Sequence, residues 1–153
     1  MKGRYDYMSS NARDVQVQLV TEIRDEDRRE KMEVNEPGRF FTKGETQVLT
    51  FTEHPEEGDP INTMITVKPN HVSIKRSGGV DMRQVFQKDL ETENLYHHTY
   101  GEFHMKTYTE ELEYRSLEQA SEGRLYLSYQ MTLNHEVTQA HRLTLTFEEE
   151  SES

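Results

Sequence analysis

From Val15 onward the sequence alternates apolar and polar residues in one run after another. That two-residue period, repeated along the chain, constrains the fold more than any other feature. Val15, Val17, Leu19, Thr21 and Ile23 fall on one register, with Gln16, Gln18 and Glu22 on the other. The same pattern returns in Leu49 and Phe51, through Ile61–Val67, in Leu125, Leu127, Tyr129, Met131 and Leu133, and in Val137, Leu143, Leu145 and Phe147. Successive side chains of a strand point to opposite faces, so each run reads as a strand with one face for a core and one for water. Such runs recur at spacings of about 10–14 residues, which suggests about eight to ten strands. Neighbouring strands joined by short turns form an all-β antiparallel meander, and closure into a single up-and-down barrel removes its exposed edges. Three places interrupt the pattern. Pro37-Gly38 is expected to end a second strand around residues 31–35, and Gly101 to mark a bulge or bend within one long run. Residues 111–119 mix the two periods and fit either a strand or a short helix.

Only 32% of the 153 residues are apolar and the mean hydropathy is −0.98, so the core has to be built economically. One-faced strands do this, and the length suits one domain. The expected division is a polar leader over 1–12, the barrel over 13–149 and an acidic tail over 150–153. The formal net charge of −11 opposes both phosphate backbones and anionic membranes, so neither nucleic acid nor membrane is expected as a partner. Absence of cysteine removes disulfides and thiolate chemistry. No run has the roughly 18 apolar residues of a membrane span, and the first residues lack a signal-peptide core, so the expected compartment is the cytoplasm.

The stretch HVSIKRSGGVDMRQVF, residues 71–86, raises the functional question. A two-residue Gly-Gly loop would set Ile74 opposite Arg83. A three-residue loop, Ser77-Gly78-Gly79, pairs Arg76 with Val80, Ile74 with Met82 and Val72 with Gln84. The second keeps the apolar residues on one face, and it puts Arg76 and Gln84 there with them. An arginine on an inward face needs either a partner carboxylate or a ligand. By the same parity Tyr129 and His141 point inward, and His97 and Thr99 are expected to join them.

Other chemistry has little support. His97 and His98 are adjacent and cannot share an ion from one strand, and no three or four ligands converge by spacing, so no metal or other cofactor is expected. There is no phosphate-binding glycine loop and no nucleophile elbow. Glu102, Glu113 and Glu118 fall on outward registers, which leaves no acid–base pair and no catalytic residue to name. Tyr96, Tyr100 and Tyr108 share a register, but without a basic groove they suit cross-strand packing better than nucleic-acid stacking.

Three segments carry a resemblance. Arg76-Ser77-Gly78 with Val80, Met82, Gln84 and Phe86, then Tyr100-Gly101 with Phe103, Met105 and Thr107, then Gly123 with Leu125, Leu127, Tyr129 and Met131, together resemble the YwiB-like family of small bacterial proteins of unknown function. The resemblance covers roughly residues 14–148. It implies a closed, lipocalin-like (calycin-type) barrel of about eight strands. It implies no activity, and with no tryptophan in the chain the Gly-x-Trp signature of true lipocalins is absent. The expected function is a non-enzymatic barrel that binds a small polar or anionic ligand in its interior or mouth, with Arg76, Gln84, Tyr129, His141 and His97 as candidate contacts. The alternative is a filled barrel that acts through its outer face as a protein-interaction module, either monomeric or homodimeric.

Overall fold

The computed structural model describes residues 12–98 and 101–150. The leader over 1–11, Thr99, Tyr100 and the last three residues lie outside them. The chain runs through ten strands: β1 (Arg13–Arg24), β2 (Arg29–Lys43), β3 (Thr46–Glu53), β4 (Ile61–Lys68), β5 (His71–Gly78), β6 (Asp81–Phe86), β7 (Glu91–His98), β8 (Gly101–Arg115), β9 (Glu122–Leu133) and β10 (Val137–Glu149). Each pairs antiparallel with its neighbours in sequence, and β1 closes the barrel by pairing with β10 from Val15↔Glu149 to Arg24↔Ala140. The all-β up-and-down barrel is therefore as the alternation required. It has ten strands, where the family resemblance implied about eight. Among the described residues no helix is long and apolar enough to cross a membrane.

Alternation does its expected work in the walls. Along β9, Gly123, Leu125, Leu127 and Tyr129 are buried while the residues between them are not. Opposite them across the β9–β10 ladder stand Phe147, Leu145, Leu143 and His141, so the two strands send matched pairs inward. Each large apolar side chain removed from water in this way is worth about 1.5–3 kcal/mol.

Three expectations are corrected, and one alternative left open is decided. Pro37-Gly38 does not end β2, which continues to Lys43. Pro37 falls one residue short of the β2–β3 ladder, which starts at Gly38↔Phe51, so a residue without an N–H is tolerated there. Gly38 is a close-approach position: a Cβ would lie 2.6 Å from the Thr50 carbonyl oxygen and 2.9 Å from Val17 Cγ2. Gly101 marks neither a bulge nor a bend within one run, because the chain reverses there and His98 faces Gly101 across the β7–β8 ladder. Residues 111–115 are strand, not helix, and a register shift between Thr109 and Glu111 accounts for their mixed period. Before the shift Met105, Thr107 and Thr109 are buried; beyond it the partly buried residues are Leu112 and Tyr114.

The third correction is the β5–β6 hairpin. The first pair is Arg76↔Met82, with Ile74 opposite Gln84 and Val72 opposite Phe86, two residues away from the three-residue-loop register. Gly78, at φ +111°, is still paired with Ile61 of β4, and Gly79 N–H donates to the Pro60 carbonyl at 3.4 Å. The β5 arm thus follows β4 beyond Ser77 and forces a wider reversal. A slip of two residues preserves parity, so Arg76 and Gln84 stay on the inner face.

The barrel is unevenly filled. One half is packed by Val15, Val17, Phe40, Leu49, Ile65, Leu125, Leu145 and Phe147, with the Phe40 and Phe147 rings 5.2 Å apart. The void between Phe40, Leu49, Ile65, Leu125 and Phe147 is about 10 Å³, too small for a ligand. Toward that end Tyr114 donates to the Gln47 side-chain oxygen, and Leu117 is buried in the turn after β8. Gly123 makes room for Phe147, because a Cβ there would lie 2.3 Å from the ring. Gly123→Ala is expected to destabilise the fold by about 2 kcal/mol through overpacking. A denaturant melt with an unchanged midpoint would show that the ring has somewhere else to go.

Candidate functional site

The other half of the barrel is open, with a cavity of about 340 Å³. Its walls are mostly apolar: Leu19, Ile23, Ile61, Ile74 and Leu143 on the branched side, with Met32, Met82 and Met131 as unbranched, adjustable surfaces. Into this space the inward registers of β3, β5, β6, β9 and β10 bring Glu53, Arg76, Gln84, Tyr129 and His141. Four of the five residues singled out from sequence therefore meet in one place. The fifth does not. His97 lies on the outer face, half exposed, with Nδ1 3.2 Å from the Glu102 carboxylate. Because the chain turns between His98 and Gly101, the inward residue at that height of β7 is Tyr96, which stands opposite Met82 and lines the cavity. Tyr96 thus does not share an outer face with Tyr108, which is exposed.

Arg76 has the partner that its burial demanded. Its Nε lies 3.5 Å from Glu53 Oε2, the two side chains being 28% and 16% exposed. The Glu53 carboxylate also accepts a 2.7 Å hydrogen bond from the Thr63 hydroxyl, and Thr63 is the cross-strand neighbour of Arg76. Glu53, Thr63 and Arg76 so form a short polar row across β3, β4 and β5. The row is incomplete, since Arg76 Nε is buried and makes no hydrogen bond. Glu53 was legible in principle: it continues the alternation of Leu49 and Phe51 by one more step.

Gln84 is buried and already engaged. Its amide nitrogen donates to Thr107 Oγ1 at 2.9 Å and approaches Met131 Sδ at 3.9 Å. Tyr129 and His141 are direct cross-strand partners whose rings stack at 5.0 Å and 22°, and Phe86 meets the Tyr129 ring edge-on at 4.8 Å. Burial pushes the Tyr129 hydroxyl up to about 12, with the nearby Arg76 charge pulling the other way. Burial pushes His141 down to about 4, so at neutral pH its ring is uncharged. His141 Nε2 lies 3.4 Å from Gln139 Oε1, while Nδ1 is buried without a partner.

Elsewhere the surface offers less. A groove of about 500 Å³ runs over the β2–β4 wall past His54 and Lys75, but it is open to solvent and lined by exposed and half-buried side chains for the most part. His104 and His135 stack at 4.5 Å, and His104 Nε2 reaches Glu93 at 2.8 Å. Among the described residues no three histidine, aspartate or glutamate side chains are placed to hold a metal ion.

Known proteins place the chain in a family. It is 29% identical over 126 residues, 82% of its own length and 87% of the relative's, to a protein described as the uncharacterized beta-barrel protein YwiB of Bacillus subtilis (strain 168). The crystal structure of the ywiB protein from Bacillus subtilis matches with a TM-score of 0.82 at 25% identity, over 93% of this chain and 95% of that one. Residues 17–145 match the family described as a domain of unknown function, DUF1934. The kinship that the three segments suggested thus holds over most of the barrel, and the chain belongs to the DUF1934 family.

Proposed function

We propose that this protein is a binding module whose half-open barrel holds one small polar or anionic molecule. A single observation carries the reading: the cavity is apolar-walled, yet Arg76, Tyr129 and His141 converge on it, and His141 Nδ1 is buried without a hydrogen bond. Pockets for small molecules commonly have this make-up, mostly apolar lining with a few fixed polar groups. Arg76 supplies the anion contact, and Tyr129 and His141 supply orienting groups. Gln84 acts mainly through Thr107 and shapes the floor. The filled-barrel alternative, in which the outer face docks a protein, has less support, because half of the interior is not filled.

Glu53 favours a second reading. An enzyme would need an acid or base beside Arg76, and Glu53 is such a group. A carboxylate that already accepts from Thr63 and faces a guanidinium is better placed to hold the arginine than to take a proton from substrate. Binding therefore stands first.

Two outcomes are expected. Native mass spectrometry of protein purified gently from its own host should show a stoichiometric adduct that denaturation releases as a small molecule. A clean apo mass at several stages of purity would argue for the interaction module instead, and the oligomeric peaks would then be the informative ones. The second outcome concerns the ion pair. Arg76→Met alone leaves the Glu53 carboxylate with Thr63 as its partner and is expected to cost about 1–3 kcal/mol. The double variant Arg76→Met with Glu53→Gln removes the orphaned charge and should recover stability to within about 1 kcal/mol of the parent. It should still lose the adduct. A stable double variant that retains the adduct would show that Arg76 is structural.

A further inference from the structure

The hydrogen-bond directions at the β10 side of the cavity follow from which groups can only accept. Asp25, in the turn between β1 and β2, receives the Asp27 and Arg28 N–H groups on Oδ1 at 3.3 and 3.1 Å. These backbone bonds hold its carboxyl below the usual range, so it is ionised and purely an acceptor. Gln139 Nε2 is turned toward Asp25 Oδ2 at 3.5 Å, which leaves the Gln139 oxygen facing His141 Nε2 at 3.4 Å. An amide oxygen cannot donate, so Nε2 carries the imidazole proton. His141 is 6% exposed and uncharged at neutral pH, so Nδ1 is a bare lone pair. It is also buried and unpartnered. The cavity wall therefore offers an acceptor that calls for a donor from the ligand.

Arg76 makes the opposite demand. Its guanidinium lines the cavity, 28% exposed, and its Nε faces Glu53 Oε2 at 3.5 Å without making a hydrogen bond. One arginine that already faces one carboxylate suits a monoanion better than a dianion such as phosphate. A protonated amine for His141 would bring a second cation close to Arg76. A hydroxyl donates without that penalty.

We infer that the ligand is a small monocarboxylic acid carrying a hydroxyl group, its carboxylate on Arg76 and its hydroxyl donating to His141 Nδ1. This rests on the binding reading above and narrows it. The apolar body lies against Met32, Met82 and Met131, whose unbranched side chains fit varied shapes. The volume of about 340 Å³ corresponds to roughly ten waters, which accommodates a medium-length chain. Gln139 is a positioning residue, since it acts only by fixing the proton on Nε2.

The test is calorimetric titration of the full chain with octanoate, 2-hydroxyoctanoate, 3-hydroxyoctanoate and octanol. At least one hydroxy acid should bind about tenfold tighter than octanoate, as satisfying a buried acceptor warrants, and octanol should bind more weakly than either. His141→Phe keeps a ring on Tyr129 and should lose the tenfold preference, the hydroxy acids then binding no tighter than octanoate. Gln139→Met leaves the His141 ring in place and should reduce the ratio of hydroxy-acid to octanoate affinity without abolishing binding. Equal binding of octanoate and both hydroxy acids, a preference that survives in both variants, or no binding by any of the four overturns the inference. None of these results decides whether the cavity is a binding site, which the co-purified adduct tests independently.

Discussion

Closure of β1 onto β10 is the constraint on which everything else depends. Once the sheet has no edge, every strand must commit one of its two faces to an enclosed space of fixed width. What fills that space is then a matter of side-chain volume at each height. In one half, phenylalanines from β2 and β10, the two neighbours of β1, meet in the interior and a glycine on β9 yields to a ring, so packing is close. In the other half the inward positions carry methionine, isoleucine, arginine and glutamate beside Tyr96, Tyr129 and His141, and a cavity remains. The packed half holds the wall in place, and the open half inherits a fixed geometry from it.

Parity explains why so much of the site was legible. The register of the β5–β6 hairpin was read two residues away from where it falls, yet Arg76 and Gln84 still face inward, because an even slip leaves faces unchanged. Odd errors are the damaging ones. Between His98 and Gly101 the chain reverses, and a count carried through that reversal as if it were one strand put His97 inside and Tyr96 outside. At Glu110 a bulge adds one residue, so the buried face passes from Thr109 to Leu112 and the local period looks partly helical. Neither event has a strong local signal. Gly101 stood at the reversal but fits a bend equally well, and the bulged residue is an ordinary glutamate.

The pairing of Arg76 shows the other limit of parity. Alternation states which side chains share an interior, and not which strands lie next to one another at a given height. Glu53 and Arg76 are brought together by the β3–β4 and β4–β5 ladders, through Glu53↔Ile61 and Thr63↔Arg76. Both residues were visible as polar members of apolar registers, and the ladder registers supply the meeting.

An ion pair alone, however, does not complete the chemistry of this cavity. Arg76 Nε, Thr109 Oγ1 and His141 Nδ1 are buried without hydrogen bonds, and Thr109 and His141 are both cross-strand partners of Tyr129. Each such group costs about 1–3 kcal/mol in an empty barrel. A barrel whose only task is to stay folded has cheaper choices at the same volume, phenylalanine or leucine for the histidine and methionine for the arginine. Within an interior that is elsewhere built from phenylalanine, leucine and valine, an arginine and a histidine beside one cavity are what the proposed binding role accounts for. On that proposal the cost falls on the empty form and would be offset by a molecule with the matching donor and acceptor.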